Sequence, residues 1–130
     1  MERLLIGCYD AKDGGHFRPH RDNTTRGTAH RRFALSINLN DEFDGGELVF
    51  PEFGPRRCKV PAGCGVVFGC SLLHMMTPVV RGRRYALLPF LYDENAAALR
   101  QANERFVAGG CGASLTRDSP AGNLSGARMD

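Results

Sequence analysis

The chain has 130 residues, of which 42% are hydrophobic and 24% charged, with a formal net charge of +3 at pH 7. This length allows one domain with a modest core, and the composition is ordinary for a globular protein. No apolar run approaches the roughly 20 residues of a membrane-spanning helix. The apolar stretch at residues 4–6 is also shorter than the roughly 7 to 15 residues of a secretory signal core. We therefore expect a cytoplasmic protein with no membrane partner.

Charge and cysteine content exclude further classes. The arginines are dispersed, so the basic balance permits nucleic-acid binding but does not indicate it. The five cysteines are an odd number and form no CxxC pair, which argues against a disulfide framework and against a zinc ribbon. Cys58, Cys64 and Cys70 are predicted to act as small buried hydrophobic residues.

Short strand-like runs separated by Gly- and Pro-rich turns fill residues 3–92. After a first extended run, residues 16–25 (HFRPHRDNTT) form a polar, turn-like segment. Residues 32–39 then alternate, which places residues 33, 35, 37 and 39 on one face and residues 34, 36 and 38 on the other. Further extended runs follow at residues 47–53, 66–68, 71–79 and 81–92. Six or seven strands of this kind predict a β-sandwich or barrel.

The character of the chain changes after residue 92. Asn95 is a candidate N-cap for a helix over residues 96–107, with Leu99, Ala102 and Phe106 along one stripe. Residues 109–130 are rich in Gly, Ser and Asp, and their apolar content is too low for a packed core. We assign residues 1–108 to the folded domain and expect residues 109–130 to be disordered.

The polar segment contains a His-x-Asp pair. His20 and Asp22 are two residues apart, so on an extended chain both side chains project to the same side, about 6.6 Å apart. His74 lies in an apolar strand-like run, where an unpaired imidazole would be costly. Two histidines and one carboxylate form the facial triad of non-haem iron oxygenases, which leaves coordination positions open. His16 and His30 lack such neighbours and are expected to be solvated.

Arg84 lies ten residues after His74. Alternation places Arg84 on one strand face with Ala86, Leu88 and Phe90, and a guanidinium on an apolar face needs an anionic partner. The sequence offers no obvious carboxylate on a neighbouring strand face. A bound dicarboxylate would supply a bidentate pair. The alternative is an arginine at a strand end, lying over the sheet with its head in water.

Together these features resemble the prolyl-4-hydroxylase-like subgroup of Fe(II)/2-oxoglutarate-dependent dioxygenases. The resemblance runs from about residue 5 to residue 92 and consists, in order, of Tyr9, the His20-x-Asp22 pair, FDGGELVFP at 43–51, VPAGCGVVF at 60–68, His74 and PVVRGRRYAL at 78–87. It implies a mainly β fold, a double-stranded β-helix of the jelly-roll or cupin-like type, here with one C-terminal helix.

The resemblance also implies residue roles. His20, Asp22 and His74 would bind Fe(II), and Arg84 would bind the far carboxylate of the cosubstrate 2-oxoglutarate, with its neighbour Arg83 as a rival. Tyr9 matches a tyrosine that contacts the cosubstrate, and Asn38 falls where many relatives have a tyrosine with the same task. The implied reaction uses O2 to hydroxylate an unactivated C–H of a peptide, amino acid or small metabolite, releases succinate and CO2, and admits ascorbate as a further cofactor.

Two alternatives to an active hydroxylase remain open. The chain could be a catalytically inactive cupin-like module that binds a metal or an anion. It could also be a nucleic-acid demethylase of the same superfamily, an interpretation that rests only on basic charge and on Arg81, Arg83 and Arg84. Binding that weakens steeply with salt would support the latter.

The region before the first core strand departs from the family pattern. Relatives have helices and a strand there that cover the major sheet, whereas in this chain only the C-terminal helix is available to cover residues 33–39. An uncovered apolar face of several hundred Å² promotes association. A homodimer, a partner protein or a chain start placed too late would each account for the difference.

Overall fold

A computed structural model describes residues 1–104 of the protein. The predicted tail at residues 109–130 and Phe106 lie outside this range. The described elements are β1 (Ile6–Asp10), β2 (Phe17–His20), β3 (Phe33–Asn38), β4 (Phe43–Gly45), β5 (Leu48–Val49), β6 (Arg57–Cys58), β7 (Gly65–Gly69), β8 (His74–Met76), β9 (Val79–Leu87), β10 (Phe90–Leu91) and α1 (Glu94–Ala102), with 3₁₀ turns at Ala11–Asp13 and Pro51–Phe53.

The strands form two antiparallel sheets. The major sheet has the order β1-β9-β3-β10, with β4 paired to β9 and β7 paired to β3, and the minor sheet has the order β2-β8-β5-β6. This arrangement confirms the predicted mainly β fold with one C-terminal helix. No helix within residues 1–104 is long and apolar enough to cross a membrane.

Two clusters of buried side chains make up the core between the sheets. One contains Tyr9, Phe43, Met76, Val79 and Ala86, and the other contains Ala34, Phe68 and Cys70. Among the cysteines predicted to be buried, only Cys70 is; Cys64 is exposed and Cys58 is half-buried. The prediction was therefore wrong for Cys64, which lies in a turn outside the strands.

The alternation predicted for β3 is present. Ala34 and Asn38 are buried on the inner face, whereas Phe33 on the outer face is 52% exposed. The outer face continues onto neighbouring strands, where Ile6 is 61% and Val67 is 60% exposed. The major sheet therefore has an apolar outer face that the described residues leave in contact with solvent.

The C-terminal helix differs from its prediction in two respects. Its N-cap is Asp93, whose carboxylate accepts a hydrogen bond from the Ala96 amide at 2.7 Å, and not Asn95. Its buried residue is Ala96, whereas Leu99 and Ala102 are exposed, so the predicted stripe was wrong. Asp93 and Asn95 are both good cap residues, and sequence alone did not separate them.

The polar segment at residues 16–25 was also predicted only in part. Residues 17–20 form β2, which pairs with β8, instead of a continuous turn. The backbone hydrogen bonds that stabilise this strand come from a segment more than 50 residues away. Such long-range pairing leaves no signal in the local sequence.

His30 is fully buried, which contradicts the expectation that it is solvated. Its Nε2 lies 2.5 Å from Oε1 of Glu2, and both carboxylate oxygens of Glu2 also accept hydrogen bonds from Arg31, at 2.9 and 3.0 Å. We call Glu2, His30 and Arg31 the Glu2 cluster. Their polar groups satisfy one another by hydrogen bonds inside the protein. The other histidine of the pair, His16, is exposed as expected.

Candidate metal centre and cosubstrate pocket

Strand pairing brings the two predicted histidine ligands together. In the register between β2 and β8, His20 lies directly opposite His74, and the centroids of their rings are 4.3 Å apart. Asp22 follows just after β2, where its backbone amide donates to the Cys70 carbonyl at 2.9 Å. Two ligand-bearing segments distant in sequence are thus fixed side by side.

The side chains of His20, Asp22 and His74 converge on one point. Their ligand atoms all lie within 4.8 Å of one another. Nε2 of His20 is 3.2 Å from one carboxylate oxygen of Asp22, and Nε2 of His74 is 3.4 Å from the other. Among the described residues this is the group of histidine, cysteine and acidic side chains with the geometry of a metal site.

Both imidazoles are oriented by backbone carbonyls. Nδ1 of His20 lies 2.7 Å from the Arg18 carbonyl, and Nδ1 of His74 lies 3.0 Å from the Leu72 carbonyl. Because a carbonyl oxygen only accepts, each Nδ1 is the donor, and in the neutral imidazole each Nε2 has a lone pair directed to the convergence point. Metal-bound histidines are commonly oriented in this way, so the donor set fits a divalent cation.

The protein environment shifts the two imidazoles in opposite directions. The hydrogen bond with Asp22 raises the pKa of His20, whereas burial lowers the pKa of His74. Aromatic rings surround the buried histidine, with the Phe68 ring centroid 4.6 Å and the Phe50 centroid 6.4 Å from that of His74. The inner side of the site is therefore apolar.

Arg84 is only 6% exposed, so its head does not lie in water. Its Nε donates to Oδ1 of Asn38 and its Nη2 to Oγ of Ser36, both at 2.9 Å, while its Nη1 lies 3.0 Å from Sδ of Met76. These partners are neutral and use three of the five guanidinium N–H groups. Each terminal nitrogen keeps one N–H for a further acceptor.

Arg83 lies on the exposed face of β9, away from the buried side chain of Arg84. Its guanidinium pairs with Asp10 at 2.6 Å and its side chain is 52% exposed. Arg81 is likewise exposed and paired with Asp44. The demethylase interpretation relied on these three arginines. Arg84 is buried, and Arg81 and Arg83 are each paired with a carboxylate, so the three side chains form no continuous basic patch.

Tyr9 lies next to Arg84. The Arg84 guanidinium carbon lies 5.4 Å from the centroid of the Tyr9 ring. The Tyr9 hydroxyl is buried without a hydrogen-bond partner among the described residues, and burial raises its pKa. The Tyr9 hydroxyl and two N–H groups of Arg84 are therefore hydrogen-bond donors that have no acceptor among the described residues.

The Gly-Gly pair of the FDGGELVFP motif makes room for Arg84. Gly46 has a φ of +61°, and a Cβ there would lie 3.0 Å from Cδ of Arg84. Gly45 has a φ of +75°, and a Cβ would collide with the Pro78 carbonyl oxygen. Both positions therefore favour glycine for backbone and packing reasons.

Sequence reasoning missed part of this arrangement. It placed Ser36 only on the same strand face as Asn38 and assigned no role to Met76. The alternation of β3 places Ser36 and Asn38 on one face, and this pattern could have indicated a polar cradle opposite Arg84. The approach of Met76 depends on the second sheet and has no signal in the sequence.

Comparisons with known proteins place the chain in a family. Residues 4–92 match the model of the 2OG-Fe(II) oxygenase superfamily. The chain belongs to this superfamily. The resemblance identified from the sequence is thus confirmed at the level of the superfamily.

Two curated relatives are PKHD-type hydroxylases. The protein from Pseudomonas fluorescens is 38% identical over 128 residues, covering 89% of this chain and 54% of that protein. The protein from Cupriavidus metallidurans is 39% identical over 95 residues, covering 65% of this chain and 42% of that protein. The chain thus spans about half the length of these relatives.

Solved structures agree with the fold. A prolyl-4-hydroxylase from Pseudomonas putida has a TM-score of 0.58 and 26% identity, covering 70% of this chain and 51% of that chain. A prolyl hydroxylase from Trichoplax adhaerens, solved with a peptide fragment of hypoxia-inducible factor, has a TM-score of 0.61 and 22% identity, covering 75% and 46%. The second likeness supports the fold alone.

Proposed function

We propose that the chain forms the catalytic core of an Fe(II)- and 2-oxoglutarate-dependent dioxygenase that hydroxylates an unactivated C–H of a peptide, amino acid or small metabolite and releases succinate and CO2. The observation that carries this proposal is the convergence of His20, Asp22 and His74 beside a buried guanidinium. Family membership supports the same reaction class.

The three converging side chains would hold Fe(II). Two imidazole nitrogens and a carboxylate oxygen leave three positions of an octahedral ion open for other ligands. The Leu72 and Arg18 carbonyls hold the imidazoles in the required tautomer. A carboxylate at residue 22 favours hydroxylation over halogenation, because a small residue there would free a coordination position for a halide.

Arg84 would bind the far carboxylate of 2-oxoglutarate through its two remaining N–H groups, in a charge-assisted pair. The Tyr9 hydroxyl would donate to the same ligand. Both polar atoms of Asn38 already bind protein groups, Arg84 Nε and the Val60 carbonyl at 2.7 Å. Asn38 would therefore act by fixing the orientation of the guanidinium.

Iron and 2-oxoglutarate, when bound, would supply the activation of O2 for attack on the substrate C–H. The chain contributes placement and a partly dry cavity, with Phe50 and Phe68 excluding water behind His74. Ascorbate is proposed as a reductant that maintains ferrous iron. A cytoplasmic location is supported by the free thiols of the four described cysteines, since thiols are kept reduced there.

The apolar outer face of the major sheet would be covered in the working assembly. Exposed Ile6, Phe33 and Val67 share this face, and such patches commonly mark interfaces. A second copy of the chain or another polypeptide would fit it. Sedimentation analysis of the purified protein over a range of concentrations tests the first case, since a monomer at every concentration would contradict a homodimer.

The test of the proposed function is O2 consumption coupled to succinate formation in the presence of Fe(II), 2-oxoglutarate and ascorbate. We expect wild-type protein to convert 2-oxoglutarate slowly alone and faster with its substrate from a panel of peptides and amino acids. His74→Ala should abolish turnover because it removes a metal ligand.

The matched control is His16→Ala. His16 also has its Nδ1 within hydrogen-bond distance of a carbonyl two residues earlier, at 2.6 Å, but it is exposed and lies outside the convergent group. This variant should keep wild-type turnover. Binding of Fe(II) and 2-oxoglutarate without any O2 uptake would instead identify a catalytically inactive module.

A further inference from the structure

We propose that Arg21 and Glu52 form a clasp that positions the candidate metal ligands, with Arg21 and Glu52 as positioning residues. The inference rests on the proposed function, because it concerns the same site. It assigns a task to the middle residue of the His-x-Asp pair, which points to the side opposite its two neighbours on an extended chain.

Arg21 joins the first ligand segment to two others. Its Nη2 donates to Oε1 of Glu52 at 2.6 Å and its Nη1 donates to Oε2 at 3.3 Å, which is a bidentate pair. The same Nη1 also donates to the Ser71 carbonyl. The side chain thus links the end of β2 both to the Pro51–Phe53 turn and to the segment before β8.

Glu52 closes the connection from the other side. Its Oε2 accepts a hydrogen bond from the Leu73 amide at 3.4 Å. Between the two clasped positions, Ser71 and Leu73, lies Leu72, whose carbonyl orients the imidazole of His74. The clasp therefore fixes the Leu72 carbonyl, which orients His74. Through Arg21 it is also directly linked along the chain to His20 and Asp22.

The contribution of the clasp is expected in metal affinity more than in global stability. Its side chains are 36% and 43% exposed, and an exposed ion pair of this kind contributes little to the free energy of unfolding. A metal site, however, depends on preorganised ligands, and loss of the groups that orient them typically weakens metal affinity 10- to 100-fold.

For Arg21→Ala, electrostatics alone and the clasp predict opposite changes in metal affinity. Removing the cationic Arg21 from beside a divalent cation would strengthen metal binding if electrostatic repulsion dominated. The clasp predicts that Arg21→Ala weakens it. The sign of this effect therefore separates positioning from simple electrostatics.

The experiment measures the affinity of Mn(II) alone, which avoids oxidation, by the electron paramagnetic resonance signal of free Mn(II). We expect Arg21→Ala and Glu52→Ala each to weaken Mn(II) binding about tenfold. The double variant should bind Mn(II) no more weakly than either single variant, because each substitution already breaks the same Arg21–Glu52 pair. Arg21→Lys keeps the charge without the planar fork, so it should recover only part of the affinity. Glu52→Gln serves if the alanine variants do not fold.

The matched control is Arg81→Ala, which breaks an exposed arginine–carboxylate pair between β4 and β9. It should leave Mn(II) affinity unchanged. Unchanged or tighter binding by Arg21→Ala, additive effects in the double variant, or equal weakening by Arg81→Ala would each overturn the clasp while the proposed function stands. Failure of wild-type protein to bind Mn(II) would overturn the proposed function and the clasp with it.

Discussion

Buried charge is handled differently in two regions of the molecule. In the Glu2 cluster, a buried carboxylate accepts hydrogen bonds from His30 and Arg31, so the charges are compensated within the chain. Arg84 is buried to a similar degree, but its hydrogen-bond partners within residues 1–104 are all neutral. The first arrangement needs no ligand to compensate its charges, whereas the uncompensated guanidinium supports the proposal that Arg84 binds an anionic ligand.

The pKa shifts reflect this difference. Burial alone would raise the pKa of Glu2, but the charge of Arg31 and the hydrogen bonds that Arg31 and His30 donate outweigh it and lower that pKa. Burial lowers the pKa of Arg84, and the described residues supply no carboxylate to reverse the shift. The comparison predicts that substitutions in the Glu2 cluster alter the free energy of unfolding, whereas substitution of Arg84 alters the affinity for the ligand.

The largest expected effect is on stability, in Glu2→Ala. Removing one partner of a buried ionic group leaves the others without compensation and should lower the free energy of unfolding by about 3–5 kcal/mol. Urea denaturation of the metal-free protein measures it. The exposed carboxylate of Glu42 provides the control, as Glu42→Ala should change stability by less than about 0.5 kcal/mol. A loss of 2-oxoglutarate affinity by folded Glu2→Ala would break the comparison.

The converse is expected for Arg84→Met. Loss of a charge-assisted pair should weaken 2-oxoglutarate binding by about 1.5–3 kcal/mol. The free energy of unfolding should change by no more than about 1 kcal/mol, because the cost of burying the charge disappears while Ser36 and Asn38 lose a donor. Calorimetric titration of the Mn(II)-loaded protein measures the affinity. Undiminished affinity would show that another group binds the far carboxylate.

Acidification should destabilise the Glu2 cluster in two steps. Burial lowers the pKa of His30, so the unfolded chain binds a proton on this residue more readily than the folded chain. The stability that is present above the ordinary histidine pKa of about 6.5 therefore falls as the pH decreases below that value. The lowered pKa of Glu2 adds a second loss of stability below the ordinary glutamate pKa of about 4.5. Denaturation of metal-free protein across pH 7 to 4 measures both.

A variant isolates the first step, because His20 and His74 also titrate near this range. In His30→Gln the decline just below pH 6.5 should be smaller than in wild-type protein. An identical slope in both proteins would mean that His30 is charged in the folded state. The Nδ1 of His30, buried without a partner, supports the neutral form.

The smallest effect is expected for Arg83→Ala, the neighbour of Arg84. Its exposed pair with Asp10 contributes little to stability, and its guanidinium lies on the exposed face of β9, away from that of Arg84. The affinity for 2-oxoglutarate should change less than twofold in the same calorimetric assay. Weakened binding by this variant, with Arg84→Met unaffected, would reverse the assignment of the two arginines.

The candidate site was more predictable from sequence than its surroundings. His74 and Arg84 stand out because they are polar residues in apolar strand-like runs, and the spacing of His20 and Asp22 gives the HxD pair. The structure brings these side chains together, and their roles remain proposals.

Interactions between distant residues had no such signal. His30 appeared solvated because its partner, Glu2, lies 28 residues away. The strand β2 and the Arg21–Glu52 clasp likewise depend on pairing across 30 residues or more. The alternation of buried and exposed residues within a strand can be predicted from that segment alone. The sequence does not show which distant segment supplies the partner of a buried polar group.

The most direct test of the central claim is an anaerobic titration of 2-oxoglutarate into Fe(II)-loaded protein, followed by visible absorption. The account predicts a band that saturates at one 2-oxoglutarate per chain, is absent in His74→Ala and requires higher 2-oxoglutarate concentrations in Arg84→Met. A band of equal strength in His74→Ala, or none in wild-type protein, would contradict the claim that these three side chains hold one ferrous ion beside a guanidinium that binds a diacid.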